Sequence, residues 1–328
     1  MKVAWFDPFS GGSGDMILGA LIDAGCPVDA LRAELRRIPL TGYRLEVERT
    51  AQHGIGGARV NVVVDDDAQT ARDWRAIRSL LEIATLSGAI RERIVAIFAR
   101  LAEAEAAIHG ETLESVHFHE VGGVDAIVDI AGAVLGLELL GVERVFTAPP
   151  RLGAGWARSA HGQIPVPAPA TAALLAEVGA PFTSEPPGEP AGELLTPTGA
   201  AILTTLATFG RPAMAPSAIG YGFGRRQLPW PNALRVWIGE AAEAAGDGEV
   251  LVQTNIDDMN PQFFEPLLER LFAAGALDAW LEPVIMKKGR PAVVVSAICP
   301  AGRRGAVEAA LFANSTTLGV RVTAIERT

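Results

Sequence analysis

One stretch of the chain, residues 109–129, concentrates side chains that exchange protons or bind metals. It contains three of the five histidines of the 328-residue chain. Its histidines and nearby carboxylates are His109, His117, His119, Glu120, Asp125 and Asp129. Imidazole and carboxylate groups suit zinc, nickel or iron, and they also form acid–base pairs. The spacing does not match HExxH or a structural zinc site, so the stretch indicates a transient metal site or an acid–base site. For each histidine, the alternative is a structural role, in which it caps a helix or forms a hydrogen bond within the fold.

The elements that hold this stretch are predicted from its periodicity. His117 and His119 alternate in an extended run, so they project from the same side of the chain. Apolar residues with helical spacing begin at Val124, which places Asp125 and Asp129 at i and i+4 on the opposite, polar stripe. The pattern predicts a short strand or loop that brings two imidazoles to one end of a helix. That helix shows two carboxylates on one face.

Two other segments of the first part of the chain carry candidate groups. FDPFSGGSGDM, between a predicted strand and a predicted helix, resembles a phosphate cradle, because backbone N–H groups and a helix N-terminus face the same anion. An ordinary turn with Ser13 or Asp15 as the N-cap explains it equally well. Prolines stiffen the segment after His161, so this histidine is either directed at the same pocket or part of a surface polyproline segment.

The last part of the chain combines acidic and basic groups at predicted strand ends. Asp257 and Asp258 end one strand, and paired carboxylates suit Mg²⁺ or Mn²⁺ bound with substrate phosphates. Cations and hydroxyls that suit a triphosphate follow in two later turns. These residues are Lys287, Lys288, Arg290, Ser315, Thr316 and Arg321. Each turn alone is explained by solvation, but their joint presence favours a nucleotide site.

The order of predicted elements gives the fold class and the domains. Residues 1–239 predict a mixed α/β domain, and the Ala-, Glu-, Gly- and Asp-rich residues 240–249 predict a linker. Residues 250–328 predict a ferredoxin-like βαββαβ domain, so the whole chain is α/β (α+β). The opening residues 3–64 have a related βα(α)ββ order, which allows two half-similar modules.

Charge and cysteine content restrict the class of protein. The formal net charge of −10 argues against nucleic-acid or acidic-membrane binding, which requires a basic face. Cys26 and Cys299, the two cysteines, form no disulfide framework, which suits a reducing compartment. The N-terminus does not look like a secretory signal, and no apolar run is long enough to span a membrane. The sequence therefore predicts a cytoplasmic protein.

Nine ordered motifs together resemble one family. They are FDPFSGGSGDMILGALIDAG, AEAEAAIHG, VHFHEVGGVDAIVDI, HGQIPVPAPAT, ELLTPTGAA, GYGFG, NIDDMNP, MKKGRP and STTLGVR. In this order they resemble the LarC family, the nickel insertases of nickel-pincer nucleotide biosynthesis. The resemblance covers essentially the whole chain. It implies a CTP-dependent cyclometallase that inserts Ni²⁺ into pyridinium-3,5-bisthiocarboxylic acid mononucleotide, forming Ni–S and Ni–C bonds. CTP becomes CMP and pyrophosphate with Mn²⁺ or Mg²⁺, and the product serves lactate racemase and related enzymes.

The resemblance also suggests roles for the candidate residues. In the family the C-terminal region binds CTP and its metal, which here implies Asp257 and Asp258 for the metal and the basic turns for the phosphates. The His-rich part then becomes the candidate binding site for nickel and the precursor. The predicted nickel ligands are His117, His119, His109 and His161. Glu120 or Asp125 is the predicted base for the ring proton. A homo-oligomer is allowed.

Departures from the family pattern fall mostly in the nucleotide domain. Gly123 and Ala126 stand where Ala and Ser are usual, and Gln262 and Asn314 stand where Glu is common. The chain ends at Thr328, so we expect it to lack the last segment of typical members. Two other functions remain open: a nickel-binding delivery or storage protein without catalysis, and a metal-dependent phosphohydrolase. Hydrolysis of CTP to CMP and pyrophosphate separates these functions.

Overall fold

The computed structural model of the chain divides into two compact units, residues 1–241 and 242–328. The structure describes residues 1–65, 72–113, 116, 118, 122–159, 162–183, 192–241 and 248–325. Residues 242–247, most of the predicted linker, lie outside that set. Each unit has a hydrophobic core of its own and is considered separately.

The first unit alternates strands and helices along the chain. Its strands are β1 (Lys2–Asp7), β2 (Tyr43–Gln52), β3 (Ile55–Val64), β4 (Arg144–Thr147), β5 (Gly153–Ala154), β6 (Trp156–Ser159), β7 (Gly162–Pro165), β8 (Gly192–Glu193), β9 (Ala207–Phe209), β10 (Met214–Phe223) and β11 (Ala233–Ala241). Its helices are α1 (Gly14–Asp23), α2 (Val28–Leu35), α3 (Trp74–Ile83), α4 (Gly88–His109), α5 (Val124–Leu139), α6 (Pro169–Glu177) and α7 (Pro197–Leu206). The mixed α/β class predicted from the sequence is confirmed.

Seven of these strands form a mixed sheet in the order β2-β3-β10-β11-β1-β4-β9. β1 runs parallel to β4 and antiparallel to β11, which is antiparallel to β10. β10 meets β3 in parallel at a single pair, Gly222 with Ala58. The carboxyl ends of β1, β3, β4 and β10 therefore point to the same edge of the sheet. Ligands of open α/β sheets bind at such an edge.

Helix α1 packs directly on the backbone of β10, and two glycines of β10 allow this approach. An added Cβ at Gly222 would lie 1.8 Å from the carbonyl oxygen of Met16 in α1. At Gly220 it would lie 2.1 Å from the carbonyl oxygen of Ala20. The glycines of the GYGFG motif are thus required by packing, because any side chain would push the helix away from the sheet.

Helix α5 is apolar around almost its entire circumference and lies within the unit, where it contacts α1, α2, α4 and α7. A helix that is hydrophobic on all sides is a buried helix. Gly132 and Gly136 bring it close to Leu18 and Leu21 of α1. Asp125 and Asp129 share one face, as predicted, but that face is not a solvent stripe. Asp125 is exposed, whereas Asp129 is half-buried.

Three details differ from the sequence predictions. The opening strands are not a second ferredoxin-like module, because β1 pairs with β11 and β4 and not with the hairpin of β2 and β3. The GYGFG motif ends a full strand, β10, whose Pro216 and glycines weaken the sequence signal for a strand. The segment after His161, for which a surface polyproline segment was one expectation, begins with strand β7, which pairs antiparallel with β6.

The second unit has the βαββαβ order predicted from the sequence. Its elements are β12 (Glu249–Ile256), α8 (Phe264–Ala273), β13 (Asp278–Met286), β14 (Arg290–Pro300), α9 (Arg304–Asn314) and β15 (Arg321–Ile325). The four strands form an antiparallel sheet in the order β13-β14-β12-β15. The core lies between one face of this sheet and the two helices, around residues such as Val252, Leu267 and Leu311.

In the described part of the chain, no helix combines the length and the apolar character that crossing a membrane requires.

The packing of α1 on β10 predicts the effect of adding one methyl group. We expect Gly222→Ala to lower the free energy of unfolding by about 1–3 kcal/mol, because the new Cβ overlaps the backbone of α1. Gly56→Ala in β3 is the matched control, since its Cβ would have no heavy atom within 4 Å. Urea denaturation of both variants measures the difference. Equal unfolding midpoints would show that α1 does not rest on β10.

Candidate functional site

A cavity of about 380 Å³ lies at the carboxyl edge of the large sheet. Three segments that follow or precede sheet strands line it: residues 13–16 at the start of α1, 224–226 after β10, and Asn232 before β11. The lining is completed by Val62 of β3, Asp125 and Asp129 of α5, and Glu193, Leu194, Thr196, Pro197 and Thr198 before and within α7. The cavity therefore combines carboxylates, arginines, hydroxyls and a helix N-terminus in one place.

Asp129 packs against the N-terminus of α1. An added Cβ at Gly14 would lie 2.6 Å from both the Cβ and the Oδ2 of Asp129, so this contact requires glycine. The backbone N–H of Asp15 donates to the Asp129 carboxylate. The N-terminus of α1, which follows the turn predicted as a phosphate cradle, thus presents an amide to a carboxylate of the protein itself. Ser13 is the N-cap residue, but its hydroxyl bonds to the Asp15 side chain and does not cap the helix.

The surroundings of Asp129 disfavour its charged form. Burial raises the pKa of Asp129 well above its ordinary value, and the nearby Asp15 and Asp125 carboxylates raise it further. Arg225 and the Asp15 backbone N–H act in the opposite direction. The Oδ1 atom is shielded from solvent and has no hydrogen-bond partner among the described residues. A carboxylate held in this way is a good proton acceptor.

Asp15 lies beside Asp129 and has a similar environment. Burial raises the pKa of Asp15 as well. The Ser13 hydroxyl, the Arg225 charge and the Met16 backbone N–H oppose that rise. Ionisation of Asp15 opposes ionisation of Asp129, because two negative charges in a buried place repel each other.

The cations of the cavity come from the loop between β10 and β11, residues 224–232, which we name the arginine loop. Its Arg225 donates to the Asn61 side chain of β3. Its Arg226 donates to the backbone carbonyl oxygen of Glu193 at 2.7 Å. Both arginines are exposed on their outer sides while they line the cavity. Guanidinium groups beside carboxylates suit a ligand that carries both a phosphate and a positive centre.

The structure accounts for only part of the histidine-rich prediction. His117, His119, Glu120 and His161 lie outside the described residues. His109 ends α4, where its Nε2 lies 3.4 Å from Oε2 of Glu105. Among the residues that the structure describes, no three His, Cys, Asp or Glu side chains are grouped closely enough to bind a metal ion.

Arg225, Arg226 and the acidic role of Asp15 were missed by sequence reasoning. A signal existed for the arginines: they directly follow a strand that ends in GYGFG, at the sheet edge where ligands bind. Asp15 was considered only as a helix cap. Thr196, which also lines the cavity, caps α7, and its hydroxyl accepts from the Gly199 N–H at 3.2 Å.

The acidic and basic residues predicted in the second unit lie at one end of its sheet. β12 is antiparallel to β14 and β15, so its carboxyl end lies beside the amino ends of both. Asp257 pairs with Arg290 at 3.2 Å, and Asp258 accepts from Thr316. Arg321 donates to Asn255 at 2.6 Å.

The remaining candidate residues of the second unit differ in whether their side chains are exposed or hydrogen-bonded within the protein. Lys287 and Lys288 are exposed in the turn between β13 and β14, at the same end of the sheet. The Ser315 hydroxyl donates to the Leu311 carbonyl oxygen at 2.7 Å, so it is used to end α9. Two adjacent carboxylates among basic and hydroxyl groups are a donor set that fits Mn²⁺ or Mg²⁺ carrying a nucleotide.

Comparisons with known proteins agree on a family. The family model described as "Nickel insertion protein" matches residues 4–328. A "Putative nickel insertion protein" of Thermomicrobium roseum is 56% identical over 100% of this chain and 81% of its own length. A "Pyridinium-3,5-bisthiocarboxylic acid mononucleotide nickel insertion protein" of a Nocardioides species is 44% identical over 98% of this chain and 81% of its own length. A solved structure described as LarC2, the C-terminal domain of a cyclometallase, matches 25% of this chain and 57% of its own, with 28% identity and a TM-score of 0.25. The family model and the two relatives show that the chain belongs to the nickel insertion protein family.

Proposed function

We propose that this protein is a cytoplasmic, CTP-dependent cyclometallase of the lyase class, which inserts Ni²⁺ into pyridinium-3,5-bisthiocarboxylic acid mononucleotide. The observation that carries the proposal is the cavity of the first unit, in a chain of the nickel insertion family. There Arg225 and Arg226 face Asp15, Asp125 and Asp129. The Nocardioides relative carries this substrate in its name.

The chemistry of the substrate matches the charges of the cavity. A mononucleotide brings a phosphate, for which the two arginines offer charge-assisted donors. Nickel is a divalent substrate, for which imidazole and carboxylate ligands are suitable. We propose His117, His119, His109 and His161 as its ligands. Formation of the Ni–C bond releases a ring proton, so the cavity also requires a base.

Asp129 is our first candidate for that base. In the insertion step the ring C–H bond breaks, its electron pair forms the Ni–C bond, and the proton passes to a carboxylate. Nickel remains divalent, so no oxidant or reductant is required. Asp129 lines the cavity and its raised pKa favours the protonated product of this step. Asp125, exposed at the cavity, and Glu120 remain proposed alternatives.

We assign CTP and its divalent cation to the second unit. Asp257 and Asp258 would hold Mn²⁺ or Mg²⁺, which neutralises charge on the triphosphate. Lys287, Lys288, Arg290 and Arg321 would contact the phosphates, and Thr316 and Ser315 offer hydroxyls. The pair of Arg290 with Asp257 is largely exposed, so exchange of protein partners for ligand groups costs little.

The proposal is tested by mass spectrometry of the nucleotide after incubation of the full chain with Ni²⁺ and CTP. We expect a nickel-containing product from the unmodified chain. Arg225→Ala should weaken precursor binding about 10- to 100-fold, because a charge-assisted contact is lost. Arg78→Ala, at an exposed ion pair on α3, is the matched control and should bind normally. Absence of product from the unmodified chain would reject the proposal, and absence of CTP hydrolysis would favour a delivery protein.

If CTP binds to the second unit, mutations there should weaken CTP binding without weakening precursor binding. Asp257→Asn and Asp258→Asn should each weaken CTP binding in the presence of Mn²⁺ about tenfold or more, since an ionised ligand is lost. Affinity for the precursor should not change. Asp278→Asn, an exposed aspartate of the same unit, is the control. Calorimetric titration of CTP and of the precursor gives both values, and unchanged CTP affinity would reject the assignment.

The raised pKa of Asp129 predicts a stability effect with a defined sign. A folded state that binds this proton more tightly than the unfolded state loses stability as pH rises from about 4 through the raised pKa. Asp129→Asn removes this loss and keeps an acceptor for the Asp15 N–H. We therefore expect the variant to be more stable at pH 7, by on the order of 1 kcal/mol, and inactive in insertion.

Denaturation of this variant between pH 4 and pH 8 measures the effect. Glu138→Gln, an exposed carboxylate on the same helix, should change neither stability nor its pH dependence. If Asp129→Asn instead destabilises the fold at pH 7, the carboxylate is held by favourable contacts and Asp129 is not the base.

A further inference from the structure

The arginine loop is closed at its base by hydrogen bonds between its two ends. The Gly224 N–H donates to the Asn232 carbonyl oxygen at 2.9 Å. The Asn232 side chain is buried and donates through Nδ2 to the Arg226 carbonyl oxygen at 3.0 Å. The backbone on both sides of the two arginines is therefore fixed from the base of the loop.

One side chain from another element reaches both ends of this loop. Gln52, the last residue of β2, donates through Nε2 to the Gly224 carbonyl oxygen at 3.2 Å. Its Oε1 accepts from the Asn232 backbone N–H at 3.0 Å. A primary amide offers a donor and an acceptor side by side, so it satisfies one group on each arm of the loop.

We infer that Gln52 is a positioning residue that sets the direction of Arg225 and Arg226 for substrate binding; this inference rests on the function proposed above. The Gly224 carbonyl belongs to the peptide unit that joins Gly224 to Arg225. A hydrogen bond to that carbonyl orients the peptide plane from which the Arg225 side chain departs. The bond to Asn232 acts on Arg226 in the same way, through the Asn232 side chain.

Other contacts hold the outer part of the arginine loop independently of Gln52. His53 Nε2 lies 3.1 Å from the Leu228 carbonyl oxygen. Trp230 donates through Nε1 to the Ser10 hydroxyl at 2.9 Å, and the Arg151 guanidinium lies 4.5 Å from the Trp230 ring centroid. Gln52 itself is half-buried and lies outside the hydrophobic core. Loss of its amide should therefore loosen the arginines without unfolding the unit.

The test compares precursor binding by calorimetry in full-length variants. Gln52→Leu keeps the size of the side chain and removes both hydrogen bonds, so we expect the Kd for the precursor to rise about tenfold. Gln52→Glu keeps the acceptor for the Asn232 N–H but cannot donate to the Gly224 carbonyl oxygen. Its Kd should therefore lie between that of the unmodified chain and that of Gln52→Leu. In insertion assays KM should rise while kcat changes little, because ground-state binding is affected.

Gln227→Leu is the matched control, since Gln227 is exposed in the same loop and its side chain makes no hydrogen bond to the described residues. We expect it to bind normally. A Kd of Gln52→Leu equal to that of the unmodified chain overturns the inference and leaves the proposed function intact. Absence of precursor binding by the unmodified chain rejects the proposed function instead.

A double-mutant cycle separates positioning from a general structural role. If Gln52 acts through Arg225, the combined loss in Gln52→Leu/Arg225→Ala should be clearly smaller than the product of the two single losses. Multiplicative losses would show that Gln52 does not act through that arginine, and would overturn the inference. The unfolding midpoint of each variant confirms that folded protein is compared.

Discussion

The packing of the Asp129 carboxylate on the N-terminus of α1 is the constraint on which the first unit depends. Gly14 leaves no room for a side chain at this point, and the Asp15 N–H is directed at the carboxylate. The helix N-terminus therefore partly compensates a charge that burial disfavours. Because α1 also rests on β10 through Gly222, the position of Asp129 is tied to the strand that leads into the arginine loop. Asp129 and the strand that leads into the arginine loop are thus linked by one connected set of close contacts at glycines.

This arrangement explains why α5 carries so few polar residues. Its apolar sides are used to pack against other helices, which fixes the helix rigidly. Rigid elements restrict the positions of functional groups more than loops do. The arginines, by contrast, come from a loop, and the hairpin of β2 and β3 supplies the contacts that a loop lacks. The carboxylates of α5 are positioned by helix packing, and the arginines are positioned by hydrogen bonds to their loop. Both depend on elements that are distant in sequence.

The parts of the fold that sequence predicts are those set by local pattern. The i, i+4 spacing of Asp125 and Asp129 put both on one helix face, and the βαββαβ order of the second unit follows from alternating strand and helix signals. Sequence could not show which aspartate is the more buried, because that depends on α1. Arg225 reaches the cavity through β10, more than 150 residues after Asp15, and no local pattern links them. Strand β10 itself was missed because the glycines that admit α1 also lower its strand propensity.

The two units treat their carboxylates in opposite ways, and the contrast bears on what each can do. Asp257 and Asp258 have an arginine and a hydroxyl as partners near solvent, where such contacts are weak and ligand groups replace them readily. Asp129 has an oxygen without a partner, shielded from solvent, which makes its charged form costly. A carboxylate with replaceable partners suits the binding of a cation and a nucleotide. A carboxylate with a shielded oxygen that has no hydrogen-bond partner is stabilised most by taking up a proton. On the proposed function, the proton released by insertion would therefore be accepted in the first unit, while the second unit handles CTP.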